Sequence, residues 1–371
     1  MGLSKHRFGE LLELTNEQNT GREYGENDAI GVNVDKIIQP MRGKISEKDF
    51  SKFHLVPPRH FAYNPRGSRK LGIGFNDTDR TFIITFNDNV FRVKTSARST
   101  LLDEYLFIYL SRREWDRYAE FISWGSSTEV FDWTYFCDEE IMLPSLDAQQ
   151  KYVDIYNAMV ANQQAYERGL EDLKVTLDSQ VDKIKHSAFR MRVGNILDEV
   201  DNRNSGGVIK NVQGINIFKQ FMPSVADING VDLRKYKVVQ KGQLAFSGMQ
   251  TGRDECIRIA LHDTEQPIII SPAYSVFKVK SEAVIPEYVM VWFSRNESDR
   301  RGWFMSDSSV RSNLDLERFY EIQIPIPDKK LQEAVVAFYE VYITRKKINE
   351  QLKAQIKAIC PILIRGSLEE E

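Results

Sequence analysis

Two stretches of the chain place apolar residues alternately three and four positions apart. The first runs from Tyr152 to Ile184 and the second from Ala334 to Ile359. This spacing is typical of the a/d seam of a coiled coil and predicts two long helices, each roughly 55 Å at 1.5 Å per residue. Because that length exceeds the diameter of a small domain, we expect the two helices to pair with each other, antiparallel, as a spacer. A helix packed on its own domain is the alternative.

Most seam positions of these helices are apolar, but polar residues fall at matching places. Gln163 and Arg345 correspond in the two stretches, and polar residues at such positions fix the register of a coiled coil at some cost in stability. The apolar seam positions expected to hold the spacer together or to receive a partner are Tyr156, Met159, Tyr166, Leu170, Leu173, Leu177, Phe338, Val341, Ile348, Leu352 and Ile359.

Shorter patterns precede each long helix and predict small domains of strands and helices. Residues 82–86 and 90–93 are β-branched and aromatic and flank Asn-Asp-Asn, which predicts a hairpin. An amphipathic helix is expected over residues 102–116, and a short apolar strand ends at Pro144. The corresponding segments of the second half are residues 267–270, 274–279 and 286–299. This alternation favours an α+β domain.

The chain repeats itself at a shift of about 183 residues. Residues 7–12 (RFGELL) match residues 192–197 (RVGNIL), and Gln150 matches Gln332. Chance matches scatter over many offsets, so the conserved order of these matches indicates a tandem duplication. The expected fold is therefore α+β, with two similar domains separated by two long antiparallel coiled-coil helices in a pseudo-twofold repeat. The expected division is into domains at 1–144 and 191–327 and long helices at 145–190 and 328–371.

Composition narrows the class of protein. Hydrophobic residues make up 42% of the chain, enough to bury real cores, and the net charge is only −3. The three cysteines have no C-x-x-C spacing, so we expect a reducing compartment rather than disulfides. The sequence has no apolar run typical of a signal peptide or a membrane span. A cytoplasmic protein without a membrane partner is expected.

Motifs of known catalytic centres are missing from the sequence. There is no P-loop, no G-x-S-x-G elbow and no metal-ligand spacing among the histidines. Residues 63–66 (YNPR) lack most of the N-P-P-Y element of amino-methyltransferases and predict a turn. Residues 327–330 (PDKK) faintly resemble a nuclease motif, but they predict a helix start with Asp328 as its N-cap. We expect no catalytic centre, cofactor or metal ion in this chain.

Local charge points to a ligand. Residues 36–70 contain nine Lys or Arg against two Asp or Glu, and residues 219–253 contain six against two. A basic segment at the same place in both repeats favours a polyanion that is bound twice, although a solvated surface over core aromatics explains the charge equally well.

Several motifs, in the same order in both halves, resemble the specificity subunit of type I restriction–modification systems. The resemblance covers essentially the whole chain, and each motif is weak alone. The motifs are the openings at Arg7 and Arg192, the turn at 61–65, the helix starts at Glu104 and Glu287, the loop at 125–128, Pro144 followed by Gln149 and Gln150, and the ending at 322–327.

The resemblance implies a DNA reader that is not itself an enzyme. It implies two target-recognition domains, each reading one half of a bipartite, asymmetric site in double-stranded DNA. It also implies that the two long helices form the spacer and dock two modification (methyltransferase) subunits, and that restriction (motor–nuclease) subunits join for cleavage.

Candidate DNA contacts follow from side-chain chemistry. Arg pairs bidentately with guanine and Gln with adenine, and residues 66–70 differ from their counterparts at 248–253, where specificity is expected. Neutral substitutions at Arg69 and Lys70 are expected to weaken binding to one half-site. The expected DNA-binding residues are Arg42, Lys44, Arg66, Arg69, Lys70, Ser126, Ser127, Lys219, Lys235, Gln250, Arg253, Ser308 and Arg311.

A coiled-coil scaffold whose two domains bind only proteins is the alternative function. It explains the heptads and the near-neutral charge, but it does not explain the paired basic segments. Salt-dependent DNA binding distinguishes the two hypotheses.

Overall fold

A computed structural model describes residues 2–42, 49–66, 71–123, 130–228, 230–249, 251–307 and 312–370. The chain divides into two compact units. Unit 1 comprises Met1–Tyr166 and Ile348–Glu371, and unit 2 comprises Glu167–Lys347. Each unit therefore contains one half of each long helix. The division into four functional segments stays a prediction.

The elements of the first half come in a strand-rich series followed by helices. They are β1 (Ser4–Arg7), α1 (Phe8–Leu11), β2 (Leu12–Leu14), β3 (Ile30–Val32), β4 (Ile38–Pro40), β5 (His54–Val56), β6 (Phe61–Tyr63), β7 (Ile73–Phe75), β8 (Phe82–Ile84), β9 (Asn89–Val93), α2 (Asp103–Leu110), α3 (Arg113–Ile122), α4 (Trp133–Asp138), β10 (Glu140–Leu143) and the long helix α5 (Leu146–Ser187).

The second half follows the same order, with one additional short helix. Its elements are β11 (Phe189–Arg192), α6 (Val193–Ile196), β12 (Leu197–Glu199), β13 (Val212–Ile215), β14 (Phe221–Pro223), β15 (Lys237–Val239), β16 (Leu244–Ser247), α7 (Thr251–Asp254), β17 (Arg258–Leu261), β18 (Ile268–Ile270), β19 (Ser275–Val279), α8 (Pro286–Phe293), α9 (Asn296–Met305), α10 (Leu316–Glu321), β20 (Gln323–Ile326) and the long helix α11 (Lys329–Glu369).

The two units pair their strands in the same way. The four-stranded sheet has the order β2-β9-β6-β7 in unit 1 and β12-β19-β16-β17 in unit 2. β1 pairs antiparallel with β10, as β11 does with β20. A parallel bridge between Ala29 and Ile83 recurs as the parallel pairing of β13 with β18. The expected α+β fold with an internal repeat and two long helices is confirmed.

The long helices contribute to the core of each unit. In unit 1, Val153 of α5 and Ile364 of α11 are buried in the same cluster as Tyr105. In unit 2, Leu177 and Val335 share a core in the same way. The ends of the long helices therefore pack on the domains. This is the alternative to a free-standing spacer that the apolar pattern also allowed.

Within each unit the two long helices also contact each other in an antiparallel sense. In unit 1, Gln163 Nε2 donates to Asn349 Oδ1 at 3.0 Å, and both side chains are buried. A Cβ added to Gly169 in unit 2 would lie 3.3 Å from Arg345 Nη1. The two polar seam residues that correspond in the repeat therefore differ in environment, because Gln163 is buried against Asn349 while Arg345 is exposed.

The buried stripe of the long helices differs from the predicted seam. Gln180 and Ala334 are exposed and Val341 is half-exposed, whereas Val181 and Val335 are buried. Each helix end faces both the other helix and a domain core. The apolar stripe is therefore broader than the narrow seam of a two-stranded coil and drifts with the 3.6-residue period.

The helices expected at 102–116 and 286–299 are each two helices. The chain leaves helical geometry at Arg112 and Arg295, which precede α3 and α9 in extended conformation. Arg112 donates from Nε to Tyr109 O at 2.9 Å, and its guanidinium lies 3.7 Å from the Tyr109 ring centroid. A basic side chain on the last carbonyls stabilises a helix end, so α2 ends there.

The predicted hairpin is wrong. β8 pairs with β5, whereas β9 pairs with β2 and β6, and the two strands belong to different sheets. The same holds for β18 and β19 in unit 2. Sequence proximity and strand propensity suggested a hairpin, but strands more distant in sequence supply the pairing partners.

Candidate functional site

Two loops meet in each unit at equivalent places. Loop A follows β6 in unit 1 (residues 64–72) and β16 in unit 2 (residues 248–257). Loop B follows α3 (residues 123–132) and α9 (residues 306–315). Residues 67–70, 124–129, 250 and 308–311 of these loops lie outside the described residues.

The backbones of loops A and B are joined by the same hydrogen bond in both units. In unit 1, Phe131 N donates to Pro65 O at 2.8 Å, and in unit 2, Leu314 N donates to Gly248 O at 2.8 Å. These positions correspond in the repeat. The two residues that donate these backbone bonds, Phe131 and Leu314, have side chains buried in the core of their unit. The core therefore fixes where the loops meet. We call this meeting point the loop junction.

Further contacts strengthen each loop junction. Arg66 and Val130 form an isolated antiparallel bridge in unit 1, and Gly252 N donates to Ser312 O at 2.8 Å in unit 2. A Cβ at Gly248 would lie 1.8 Å from Leu314 O. Only a residue without a side chain fits that close approach.

A buried ion pair holds the far end of loop A in both units. Lys219 Nζ donates to Ile257 O at 2.9 Å and to Asp299 Oδ1 at 2.5 Å. In unit 1, Lys36 Nζ donates to Asp116 Oδ1 at 2.6 Å and also to Leu71 O. Burial lowers the pKa of Lys36, and the bond to Asp116 opposes that shift. These pairs tie loop A to α3 and α9.

Two expected DNA-binding residues lie at the loop junctions. Arg66 is exposed in unit 1, where its N–H donates to Asn64 Oδ1 at 2.8 Å in the turn predicted for residues 63–66. Arg253 is exposed on α7 of unit 2, and its Nε donates to Asp254 Oδ1 at 3.1 Å. The structure thus brings each arginine next to the loop that contains the Ser-Ser element of its own unit.

Three other expected DNA-binding residues belong to neither loop A nor loop B. Arg42 is exposed after β4, and Lys235 is exposed at the end of a 3₁₀ helix, Leu233–Lys235. Lys219 is buried in its ion pair, so its charge is engaged within unit 2. The positions outside the described residues are Lys44, Arg69, Lys70, Ser126, Ser127, Gln250, Ser308 and Arg311.

The number of basic residues in a segment does not indicate which lysines are buried. Lys36 and Lys237 are buried, and Lys237 Nζ lies 3.5 Å from Glu199 Oε1. The side chain of Lys219 is only 8% exposed in its ion pair with Asp299. The surface charge of the two basic segments is therefore smaller than their composition indicates. The repeat could have predicted these buried ion pairs. Lys36 corresponds to Lys219 and Asp116 corresponds to Asp299 at the same shift of 183 residues.

The part of the chain that the structure describes contains no cluster of three or more His, Cys, Asp or Glu side chains suited to a metal ion. None of the described helices has an apolar stretch long enough to cross a bilayer. The Asp328 side chain accepts a hydrogen bond from Leu331 N at 3.0 Å, which confirms Asp328 as the N-cap of α11.

Comparisons with known proteins agree with the motifs. Residues 209–358 match the family model described as type I restriction modification DNA specificity domain, so the resemblance read from the motifs is confirmed. A comparison with curated protein sequences gives no match.

Two solved structures share the fold over nearly the whole chain. One is the S subunit of a type I restriction-modification system from M. genitalium, with a TM-score of 0.60 and 13% identity over 99% of this chain and 96% of that chain. The other comes from work on complex assembly and conformational transition of the type I R-M system, with a TM-score of 0.50 and 14% identity over 99% and 98%.

Proposed function

We propose that this chain, whose residues 209–358 match the model of the type I restriction modification DNA specificity domain, is the DNA-reading subunit of such a system. Each unit reads one half of a bipartite site in double-stranded DNA. The units differ in the sequence of loops A and B, so the two half-sites differ and the whole site is asymmetric.

The single observation that carries this proposal is the loop junction, which occurs at the same position in both units. Phe131–Pro65 and Leu314–Gly248 are joined by the same bond, whereas the loop residues around them differ. A constant scaffold that presents variable loops is the arrangement by which one fold recognises different sequences.

The residues we assign to DNA contact follow from this geometry. Arg66 and Arg253 contact bases or phosphates from loop A, together with the loop residues outside the described part of the chain. Arg42 and Lys235 are exposed cations for the phosphate backbone. Lys219 is left out of this assignment because its ammonium group is bound inside unit 2, where it positions loop A.

The long helices are the proposed docking surface for two modification subunits, which restriction subunits join. Apolar side chains on these helices remain exposed after the chain has folded, among them Ile155, Val175 and Val341. The chain itself supplies recognition without a catalytic centre or cofactor, and the complex acts in the cytoplasm.

Methylation mapping of host DNA tests the proposal. Deleting the gene should remove methylation from one bipartite motif, and a plasmid copy should restore it. An unchanged methylation pattern would contradict the proposal. A protein-only scaffold is tested separately, since the scaffold should not bind duplex DNA with an affinity that falls as salt is raised.

A further inference from the structure

Unit 2 contains a basic cleft that lies outside the loop junction. Its volume is about 590 Å³, and it is lined by residues of β11, α9, α10 and β20, by Trp292 of α8 and by Lys185 near the end of α5. This volume falls in the range of ligand pockets.

The charges around the cleft are predominantly positive. Its described lining includes five Lys or Arg side chains and only two Glu side chains. One of the two, Glu297, accepts a hydrogen bond from Arg295 Nη2 at 2.6 Å and lies 3.5 Å from Lys185 Nζ. Its negative charge is therefore already compensated, and the remaining cations face solvent.

Two of these cations have no partner in the part of the chain that the structure describes. Arg192 and Arg300 are exposed, and neither side chain forms an ion pair or hydrogen bond with a described residue. Arg301 is also exposed; its Nε donates to Met305 Sδ at 3.2 Å, and its guanidinium lies 6.0 Å from the Phe304 ring centroid. The thioether and the aromatic ring leave the charge of Arg301 uncompensated.

The equivalent region of unit 1 has a different charge and shape. The repeat places Trp115 at the position of Ser298, and the Trp115 ring is buried in the core of unit 1. Tyr118 takes the place of Arg301 and donates to Glu139. Lys5, at the position of Arg190, is neutralised by Glu140 at 2.6 Å. Of the described cations of the cleft, Arg301 therefore has no cationic equivalent in unit 1, and the equivalent of Arg190 is neutralised there.

We propose that the basic cleft of unit 2 binds phosphate groups of the DNA backbone next to the half-site that unit 2 reads. This inference rests on the proposed function. α9 connects the two sites, because Arg300 and Arg301 lie on it and loop B begins directly after its last residue, Met305. The cleft binds the DNA backbone independently of the base sequence, and loops A and B contact the bases.

The chemistry of the cleft favours phosphate as its ligand. The guanidinium group of arginine is planar and donates two parallel hydrogen bonds to a phosphate. Each phosphate contact releases counterions from DNA, which makes affinity depend on salt. An acidic protein segment is the competing occupant, and the experiment separates the two.

The test is the salt dependence of duplex binding by the full chain carrying Arg192→Gln and Arg300→Gln. Both side chains are exposed, so the variant should unfold at the wild-type temperature. The slope of log affinity against log salt should decrease by about 0.9 per lost contact, hence by roughly 1.8, with unchanged sequence preference. The matched control, Arg7→Gln with Arg117→Gln at the equivalent positions of unit 1, should retain the wild-type slope.

Three outcomes would overturn the proposal, and they are distinguishable. If the wild-type chain, alone and with its modification subunits, shows no salt-dependent duplex binding, the proposed function fails. If the wild-type chain binds and the unit 2 variant has the same slope and still assembles with the modification subunits, only the cleft assignment fails. If the variant keeps its slope but no longer assembles with the modification subunits, an acidic protein surface is the occupant.

Discussion

Two buried glutamines anchor the start of the long helices at the residue scale. Gln149 donates from Nε2 to Thr100 O at 2.8 Å and to Pro144 O at 3.0 Å, and its Oε1 accepts from Leu102 N at 3.0 Å. Gln332 makes the same three bonds in unit 2. The repeat therefore pairs Gln332 with Gln149 and not with Gln150, because burial and hydrogen bonding decide the equivalence.

Replacing Gln149 by Leu should destabilise unit 1. The apolar side chain leaves buried backbone groups without partners, at a cost of about 1–3 kcal/mol. The neighbouring Gln150 is exposed and bonds only to Asp154 among the described residues, so Gln150→Leu is the matched control. Chemical denaturation of both variants should give a lower free energy of unfolding for Gln149→Leu alone. Equal stabilities would contradict the assigned role.

His60 should make the stability of unit 1 depend on pH. Burial lowers the pKa of its ring below the usual 6.5, and the bond to Pro58 O only partly opposes that shift. As pH falls from 6.5 to the lower folded pKa, the unfolded chain takes up a proton that the folded chain excludes. The free energy of unfolding should therefore decrease over that window and level off below it.

Denaturation curves from about pH 8 to pH 5 measure this effect. A His60→Gln variant is the reference, and the wild-type chain should lose more stability than the variant between these limits. If both chains show the same pH dependence, His60 does not have a lowered pKa in the folded state.

At the element scale, the loop junction explains how one scaffold presents different sequences. Its strands and helices keep the same order in both units, and a buried side chain in loop B holds each junction in the core. The ion pairs Lys36–Asp116 and Lys219–Asp299 fix the other end of loop A. The loops can therefore vary in sequence while their ends remain in place.

Gly248→Ala should displace the loops of unit 2. The new Cβ would lie 1.8 Å from Leu314 O, which is backbone and cannot move aside without breaking the junction bond. We expect a loss of about 1–3 kcal/mol in stability and weaker DNA binding. Gly214→Ala is the control, since its nearest neighbour would be Tyr274 Oη at 3.7 Å. Wild-type affinity for Gly248→Ala would argue against the loop junction as the reading site.

At the scale of the whole molecule, the repeat makes the proposed DNA recognition modular. Unit 1 and unit 2 each contain their own core, loop junction and halves of the long helices. Sites in separate cores contribute independently to a good approximation. A change in one unit should therefore alter the reading of one half-site and leave the other unchanged.

Arg66→Gln and Arg253→Gln test this modularity as a pair. Each substitution removes an exposed cation from the loop junction of one unit, so each should relax or weaken recognition by about 1–3 kcal/mol in a single half of the motif. Methylation mapping of cells that carry each variant reports the motif directly. Changes in both halves from a single substitution would exclude independent units.

The sequence by itself determined the duplication, the two long helices, the N-cap at Asp328 and the α+β class. Each of these follows from the periodicity of apolar residues, from local secondary-structure propensity or from similarity between the two halves of the sequence. These properties do not depend on contacts between distant residues. The family motifs belong to the same group, because their order along the chain carries the resemblance.

Only the tertiary structure decided which strands pair, which residues of the long helices are buried and which lysines remain exposed. β8 and β9 are neighbours in sequence but join different sheets, and Lys219 lies in a basic segment but binds Asp299. Pairing, burial and charge neutralisation depend on partners that are distant along the chain. Their free energies are set by contacts that form only when the whole unit folds.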